Sequence, residues 1–373
     1  MLRAIAALLK KDIKLTYRNK PFVVASVLIP VIFIFIYSLV TQLSATTPIV
    51  IAQESGGNYS DMFLEILTEM GSVDGKYLEI QTLDSKTAFE RYEKGKVGAL
   101  IELPSSFDRD IENGLKPNIN LYINNINSDS TKNYQLRLAH AIYLFQNKIN
   151  PEISVVETYS NYPEDTPIKI YVAIALLMFT VIYASMVNTG LLITREWEER
   201  TGKEVSLTPK GFVPFIIGKW VAAFIQTIIS IILVILIMVF TLGFSFSYIT
   251  PSVILILLVM FIFGASLGAL IGSAFKKSVP MVSFSGVISL FIFLICGNES
   301  ALRGMATGSL PHILWKISQY IPISHLTENI RQIAVFTNSQ ISWVPLLWTL
   351  FFSLIFVFIS INQLKKTIYR QGQ

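Results

Sequence analysis

The sequence predicts a polytopic α-helical membrane protein with six transmembrane helices plus an inserted extracytoplasmic α/β domain. Only 15% of the 373 residues are charged, whereas soluble proteins carry about 25%, and 52% are hydrophobic. The charges are absent over stretches of roughly 20 residues, the length that an apolar helix needs to cross a bilayer. A segment with the alternating strand and helix pattern of a globular domain separates the first of these stretches from the rest.

The apolar stretches give the predicted order of the spans. A cytoplasmic lead-in helix over 1–20 precedes the first span, which lies in 21–45. The region 167–373 holds five more, at about Ile170–Thr194, in the two parts of Trp220–Phe275 separated near Gly243–Pro251, at about Val279–Cys296 and at about Val344–Ile361. No Asp, Glu, Lys or Arg lies in the middle of a span, which disfavours a carrier coupled to protons or ions.

The basic residues predict the orientation in the membrane. They cluster before the first span, in 195–219 and in the C-terminal tail, so the positive-inside rule places both termini in the cytoplasm. Residues 46–166 are then extracytoplasmic. The same clustering accounts for the net charge of +5, so we expect membrane lipids and not nucleic acid as a partner. The predicted location is the cell (cytoplasmic) membrane, with several passes.

Residues 46–166 alternate between strand and helix patterns, which is typical of an α/β fold around a small sheet. The predicted strands are Ile49–Gln53, Tyr77–Gln81, Val97–Leu103 and Ile119–Ile123, and the predicted helices are Met62–Met70, Ser85–Lys94, Pro104–Asn113 (ended by Gly114) and Asp129–Lys148. Asp108, Asp110 and Glu112 are interpreted as a solvated face. A ligand site on this domain stays open.

The sequence predicts no catalytic, cofactor-binding or metal site. Cys296 is the one cysteine, which excludes an intrachain disulfide, and the three histidines have no metal-ligand spacing. The run Thr201-Gly202-Lys203-Glu204 lacks the first glycine and the hydroxyl residue of a phosphate-binding loop. We therefore expect no enzyme activity in this chain.

The segment 195–219 reads REWEERTGKEVSLTPKGFVPFIIGK. It resembles the cytoplasmic coupling loop of type-2 ABC exporter permeases, in which an acidic cluster, Thr-Gly, an acidic residue and Thr-Pro precede a span that opens with Gly-Lys. The matching residues are Glu196, Glu198, Glu199, Thr201, Gly202, Glu204, Thr208 and Pro209, followed by Gly218 and Lys219. The resemblance implies that this loop docks on an ATPase subunit, and carboxylates suit a basic cleft there. Lys203 departs from the small residue common at its position.

Two further regions are similar to the same family. The N-terminus resembles its amphipathic lead-in helix through Lys11, Asp12, Arg18 and Pro21, although a basic interfacial anchor would look alike. The segment 299–343 resembles the external re-entrant helices that help to close the outer gate, with a plain amphipathic loop as the alternative. Its matching residues are Pro311, Pro322, His325, Glu328 and Arg331. The strand VGALIEL running into Pro-Ser-Ser-Phe resembles a subgroup with a large external domain.

The resemblance implies a permease subunit of an ATP-driven ABC exporter that moves an amphipathic, lipid-like or drug-like substrate outward. A separate ABC ATPase subunit dimer would bind ATP and Mg, and a second permease copy or homologue would complete the pathway as a homo- or heterodimer. The alternatives are a membrane sensor or assembly factor whose external domain binds a ligand without transport, and an ion-coupled carrier.

Small and polar residues in the spans predict how the helices pack. Gly264, Gly268 and Gly272 form a doubled G-x-x-x-G on one helix face, which lets two helices approach closely. We expect packing within the chain, with a dimer interface as the alternative. Asn188, Thr189 and Gln226 are expected to hydrogen-bond between helices. Serines and a glycine on the fifth span are expected to pack against other helices or to line a path (Ser283, Ser285, Gly286 and Ser289).

Overall fold

The computed structural model describes residues 9–14, 16, 20–43, 47–54, 56–72, 75–123, 129–150, 168–199, 201, 212–297, 302, 308–335 and 340–371. The chain divides into two compact units, one of Met1–Leu39 with Ile168–Gln373 and one of Val40–Pro167. Residues 9–14, called the N-terminal segment below, are helical.

Helix α1 (Lys20–Leu43) occupies the position of the first predicted span and contains Pro30. Its 24 residues give a length of about 36 Å, more than the hydrocarbon thickness of a bilayer. The apolar part of α1 whose side chains are described, Val24–Ser38, is shorter than a full span. The first of the six predicted spans therefore stays a prediction.

The Val40–Pro167 unit is built on a four-stranded sheet in the order β4-β1-β5-β6. The strands are β1 (Thr47–Gln53), β4 (Leu78–Leu83), β5 (Ala99–Leu103) and β6 (Asn120–Ile123), and β2 (Gly71–Ser72) and β3 (Gly75–Lys76) form a separate short ribbon. Strand β1 pairs in parallel with β4 and β5, and β6 runs antiparallel to β5. The four predicted strands are thus present, with their ends displaced by at most two residues.

Helices α2 (Asn58–Glu69), α3 (Ser85–Glu93) and α4 (Phe107–Glu112) lie between these strands in the chain, and α5 (Asp129–Ile149) follows the last strand. The rings of Phe63, Phe107 and Phe145, from α2, α4 and α5, meet at centroid distances of 5.4–6.1 Å in the core. Helix α3 is capped by Asp84, which accepts a hydrogen bond from the Thr87 amide at 3.0 Å. Asp84, and not the predicted Ser85, is therefore the cap.

Helix α2 begins four residues earlier than the predicted Met62. Asp108 Oδ1 accepts hydrogen bonds from the amides of Tyr59 and Ser60 at 2.7 and 3.1 Å, so it satisfies the free donors of the first turn. The interpretation of Asp108 as part of a solvated face is wrong, because its side chain is buried against α2. A cap supplied 48 residues away leaves no local signal in the sequence.

The second stretch of the helical unit contains α6 (Ile168–Glu198), α7 (Phe212–Leu242), α8 (Pro251–Phe275), α9 (Ser278–Cys296), α10 (Leu310–Ser318), α11 (Pro322–Val335) and α12 (Trp343–Gln371). By length and composition, α6, α7, α8, α9 and α12 are long enough and apolar enough to cross a membrane, five helices in the part of the chain that the structure describes. Helix α6 is buried along most of its length and packs against α7, α8 and α9. It is therefore the centre of this unit.

The segment between α6 and α7, predicted as the coupling loop 195–219, is shorter in the structure. Helix α6 continues to Glu198 and α7 already begins at Phe212, eight residues before the predicted start of that span. A prediction from apolar length alone makes both helices too short. Each helix continues beyond its apolar stretch into charged residues, and these residues form hydrogen bonds within the chain.

The three glycines of α8 pack against α6. A methyl group on Gly264 would lie 2.8 Å from the carbonyl oxygen of Ile182, and one on Gly272 would lie 2.8 Å from that of Gly190. At Gly268 the same group would overlap the carbonyl oxygen of Met186. The glycines thus bring two backbones into contact within one chain, as small residues do in membrane helices.

Polar contacts join α7 to α1. Pro30 has no amide hydrogen, so it leaves the Ser26 carbonyl without its usual helical donor. Ser230 Oγ on α7 lies 3.5 Å from that carbonyl and shares its hydrogen with the Gln226 carbonyl of its own helix. Thr241 Oγ1 lies 3.2 Å from Ser38 Oγ. A partner from the neighbouring helix thereby makes a proline acceptable in an apolar helix.

We expect Gly268→Ala to destabilise the helical unit by about 1–3 kcal/mol, because the added methyl group meets backbone that cannot move aside. Gly286→Ala is the matched control, since its methyl group would meet only a Tyr183 ring carbon, at 4.0 Å. The measurement is denaturant unfolding of the purified chain in detergent. Equal stability of the two variants would contradict the assigned packing.

Candidate functional site

Two clusters of charged side chains lie near the two ends of α6. One surrounds Lys219, near Glu196 in the last turns of α6, and the other surrounds Arg331, near Tyr171 in its first turn. The 25 residues from Tyr171 to Glu196 correspond to about 38 Å of helix, so a bilayer core of about 30 Å fits between the clusters.

The first group, called the Lys219 cluster, consists of Lys11, Asp12, Glu196, Thr201 and Lys219. Lys219 Nζ donates to Asp12 Oδ1 at 2.7 Å and to Glu196 Oε1 at 2.5 Å. Lys11 Nζ donates to both oxygens of Glu196, at 2.8 and 3.0 Å, and Thr201 Oγ1 also donates to this carboxylate. Asp12, Glu196 and Lys219 have side chains that are at most 5% exposed.

Burial makes this cluster costly to break. Taking a charge out of water costs several kcal/mol, and close pairing with opposite charges offsets that cost. Burial raises the pKa of Asp12 above its usual value, and the neighbouring Lys219 ammonium opposes that shift. Because the partners come from the N-terminal segment, the end of α6 and the start of α7, the cluster holds three separate parts of the chain together.

Glu198 joins the end of α6 to the start of α9. Its Oε1 accepts from the Ser278 amide and its Oε2 from the Ser278 hydroxyl, both at 2.7 Å. The hydroxyl of Thr194 lies 3.2 Å from that of Ser278. A carboxylate at a helix N-terminus satisfies a free amide and is favoured by the helix dipole. Glu198 therefore caps α9 although it belongs to α6.

The structure thus divides the residues predicted for the coupling loop and for the lead-in helix. Lys11, Asp12, Glu196 and Thr201 come together around Lys219, and Glu198 contacts Ser278. Glu199 is exposed at the end of α6. Pro21 lies in the first turn of α1. The remaining predicted positions lie outside the described residues (Arg18, Gly202, Glu204, Thr208 and Pro209).

Sequence reasoning missed the central position of Lys219, which it noted only as part of a Gly-Lys pair. A signal was present. Lys219 is the last charge before a long uncharged stretch, and Asp12 is the one acidic residue among the basic residues that precede the first span. Two isolated charges of opposite sign near the ends of apolar helices favour each other as partners, since neither is stable alone at that depth.

The second group, called the Arg331 cluster, is built on α11. Arg331 is fully buried, and one of its terminal nitrogens donates to the Gly297 carbonyl at 2.6 Å. That nitrogen also lies 3.5 Å from the Tyr171 carbonyl, and the guanidinium lies 3.4 Å from the centroid of the Tyr171 ring. Glu328 Oε2 is 3.5 Å from the other terminal nitrogen. Arg331 therefore ties α11 to the first turn of α6 and the end of α9.

Neighbouring residues complete the predicted external segment. Pro311 and Pro322 lie in the first turns of α10 and α11, where a missing amide hydrogen is tolerated. His325 Nε2 lies 2.8 Å from the Gln319 carbonyl, a contact that links the two helices. Asn329 bonds Gln340 and Ser342 at 2.9 and 2.8 Å, so α11 is also joined to the residues just before α12.

Uncharged polar side chains pair between the helices. Asn188 Nδ2 donates to Thr227 Oγ1 at 3.2 Å, and Gln226 Nε2 donates to Thr16 Oγ1 at 2.8 Å. These contacts confirm the interhelical hydrogen bonds expected for Asn188 and Gln226. The hydroxyl of Thr189 is buried without a partner among the described residues.

Lys219→Met should destabilise the chain by about 3–5 kcal/mol, because it leaves Asp12 and Glu196 buried without their shared cation. Lys94→Met is the matched control. It removes an exposed pair with Glu90 and should cost at most about 1 kcal/mol. Thermal unfolding of both variants in the same detergent measures the difference, and similar losses would show that the Lys219 cluster does not stabilise the fold.

A family model described as ABC-2 family transporter protein matches residues 20–362. No curated protein matches the chain closely enough to add to this finding. The match includes α1, the Val40–Pro167 unit, the first four candidate spans and most of the fifth, which it leaves four residues before its end. The chain belongs to the ABC-2 family of transporter proteins and is a membrane-spanning permease subunit.

Proposed function

We propose that the chain is the permease of an ATP-driven exporter that moves an amphipathic, lipid-like or drug-like molecule outward across the cytoplasmic membrane. The observation that supports this most is the Lys219 cluster. It joins the N-terminal segment, α6 and α7 through ion pairs of 2.5–2.8 Å at one end of the candidate spans. A force applied to the segment between α6 and α7 would therefore act on all three together.

The proposed coupling segment lies between these anchored helix ends. Glu196 and Glu198 are occupied within the chain, so we assign them to the base of the segment. Contact with a separate ABC ATPase subunit dimer falls to Glu199, Gly202, Glu204, Thr208 and Pro209, whereas Thr201 bonds Glu196 within the chain. The ATPase subunits bind ATP and Mg in this proposal, and their basic cleft receives the acidic segment.

The distribution of basic residues supports the proposed sidedness. The Lys219 cluster and both termini are cytoplasmic, and residues 46–166 are extracytoplasmic. The Arg331 cluster is then at the outer end of α6, where α10 and α11 form the outer gate. Arg331 holds α11 against α6 and α9, and this contact has to change or move as a unit when the gate opens.

The spans support an amphipathic cargo. The described polar side chains of the spans between the Lys219 and Arg331 clusters are hydroxyls and amides, such as Asn188, Thr227 and Gln226, without a charged group. A path between spans without charged side chains suits a molecule with a large apolar part. A second permease copy or homologue supplies the other wall of the path, because six spans are few for an enclosed route.

The double variant Glu199→Lys, Glu204→Lys should lower co-purification of the ATPase subunit by about tenfold or more. Its two new ammonium groups would be repelled by the basic cleft of the ATPase subunit. Glu93→Lys, at the end of α3, is the control and should leave the complex intact. The measurement is the ATPase recovered with the tagged chain in mild detergent, together with its ATP turnover. Full recovery from the double variant would reject the coupling assignment. If the unaltered chain purified without a nucleotide-binding partner, the result would favour the alternative function of a membrane sensor or assembly factor.

Arg331→Lys should lower transport several-fold and leave ATPase association unchanged. Lysine keeps the charge but loses the planar contact with Tyr171 and one of the paired donors. Lys316→Arg on α10 is the control, since Lys316 is exposed. The measurement is ATP-dependent movement of a lipophilic dye in vesicles that contain the whole complex. Unchanged transport would exclude a gating role for Arg331.

A further inference from the structure

A groove of about 760 Å³ lies in the Val40–Pro167 unit, between the end of α4 and the C-terminal half of α5. Its volume falls within the range of about 300–1,000 Å³ that is usual for small-molecule sites. The proposed coupling segment and outer gate make no use of it. The groove therefore has no role in the proposed transport mechanism so far.

The floor of the groove is rigid and apolar. Phe145 lies there, with its ring packed edge-on against Phe63 at 5.4 Å and tilted against Phe107 at 5.9 Å. All three rings are buried in the core of this unit. Because these rings pack on each other, the floor is already formed without a ligand, which lowers the cost of binding.

One wall of the groove is formed by Leu115, which follows the end of α4 and is exposed to solvent. Gly114, at φ +68°, ends α4. Its amide donates to the Ile111 carbonyl, and the Leu115 amide donates to the Asp110 carbonyl. This is a Schellman motif, in which the residue at the position of Leu115 usually packs on the helix it follows. Leu115 instead stays 61% exposed and lines the groove.

The opposite wall and the rim complete an amphipathic site. Ile149, in the last turn of α5, is 42% exposed and lines the groove beside Ile142. The rim carries amides, among them Asn118 and Gln146. Exposed large apolar side chains that gather around one cavity in an otherwise polar unit are typical of a binding surface.

Charge indicates the head group of the ligand. Among the described residues that line the groove, Lys116 is the charged one. The unit around it is acidic, since its carboxylates outnumber its basic groups. An ammonium group beside an apolar cavity pairs at short range with the acidic end of an apolar chain. Repulsion from the carboxylates elsewhere in the unit acts over longer distances, where salt screens it.

We propose that this groove binds the apolar chain of an amphipathic molecule whose acidic head group pairs with Lys116. The inference rests on the proposed function in one respect, because it assigns the exported cargo to this chemical class. The groove itself is independent of transport. In the exporter it would receive the cargo on the extracytoplasmic side and shield the chain from water.

The test uses the full chain in nanodiscs of phosphatidylcholine and dodecanoic acid that carries a photoreactive diazirine. Peptide mapping by mass spectrometry should find saturable labelling within 107–119 and 142–150, which excess unlabelled dodecanoate removes. Leu115→Ser with Ile149→Ser should reduce this labelling by about tenfold, since two exposed apolar side chains are lost without disturbing the core. Leu136→Ser is the control, because Leu136 is 69% exposed and lies away from the groove.

Lys116→Gln tests the head group. It should reduce labelling by the acid about threefold and leave labelling by the matching uncharged alcohol unchanged. Lys94→Gln, at an exposed pair on α3, should affect neither probe. Either of two results would overturn the proposal. The label could be confined to the spans, or groove labelling could be as strong in the Leu115→Ser, Ile149→Ser variant as in the unaltered chain. A change in oligomer mass for that variant without any groove labelling would instead make the groove a protein interface.

The outcome separates this inference from the proposed function. Labelling needs no ATPase, so a labelled groove in a chain that recovers no ATPase would retain the site and reject the exporter. Recovery of an active ATPase with an unlabelled groove would retain the exporter and reject the site.

Discussion

A buried ammonium group between two carboxylates fixes the arrangement of the helical unit. Lys219 cannot stay charged next to apolar helices without partners, and Asp12 and Glu196 supply them at 2.7 and 2.5 Å. These partners are 207 and 23 residues away in the chain. One lysine thereby determines where the N-terminal segment lies and how α6 and α7 meet. The start of α9 follows, because Glu198, two residues after Glu196, caps it.

Those features of the fold that depend on apolar length and alternation could be predicted from the sequence. The second to sixth spans, the four strands of the α/β unit and the end of α4 at Gly114 all follow from local patterns. These signals are contained within about ten to twenty neighbouring residues, because burial of a strand or helix face repeats with its own period.

The polar contacts that organise the candidate site could not be predicted in the same way. Asp108 caps α2 from 48 residues away, Glu198 caps α9 from 80 residues away, and Arg331 bonds a carbonyl 160 residues away. The sequence of a single chain shows that such a residue is charged. It does not show which distant partner compensates for the free energy lost when the charge is buried. The fold was therefore needed to find which of the predicted site residues pair within the chain, and the contact of the others with a partner stays a prediction.

The glycine contact between α6 and α8 has a consequence for motion. No side chain lies between Gly268 and the backbone at Met186, so no rotamer change can absorb a displacement there. The two helices must translate and rotate as one body. Relative movement is easier where hydroxyl groups meet, as between α7 and α1, since a hydroxyl can turn to a new acceptor as the helices slide. A force that reaches α6 through the Lys219 cluster would thus be passed to α8 as well, and any change of shape during transport would be concentrated where this pair meets the helices around it.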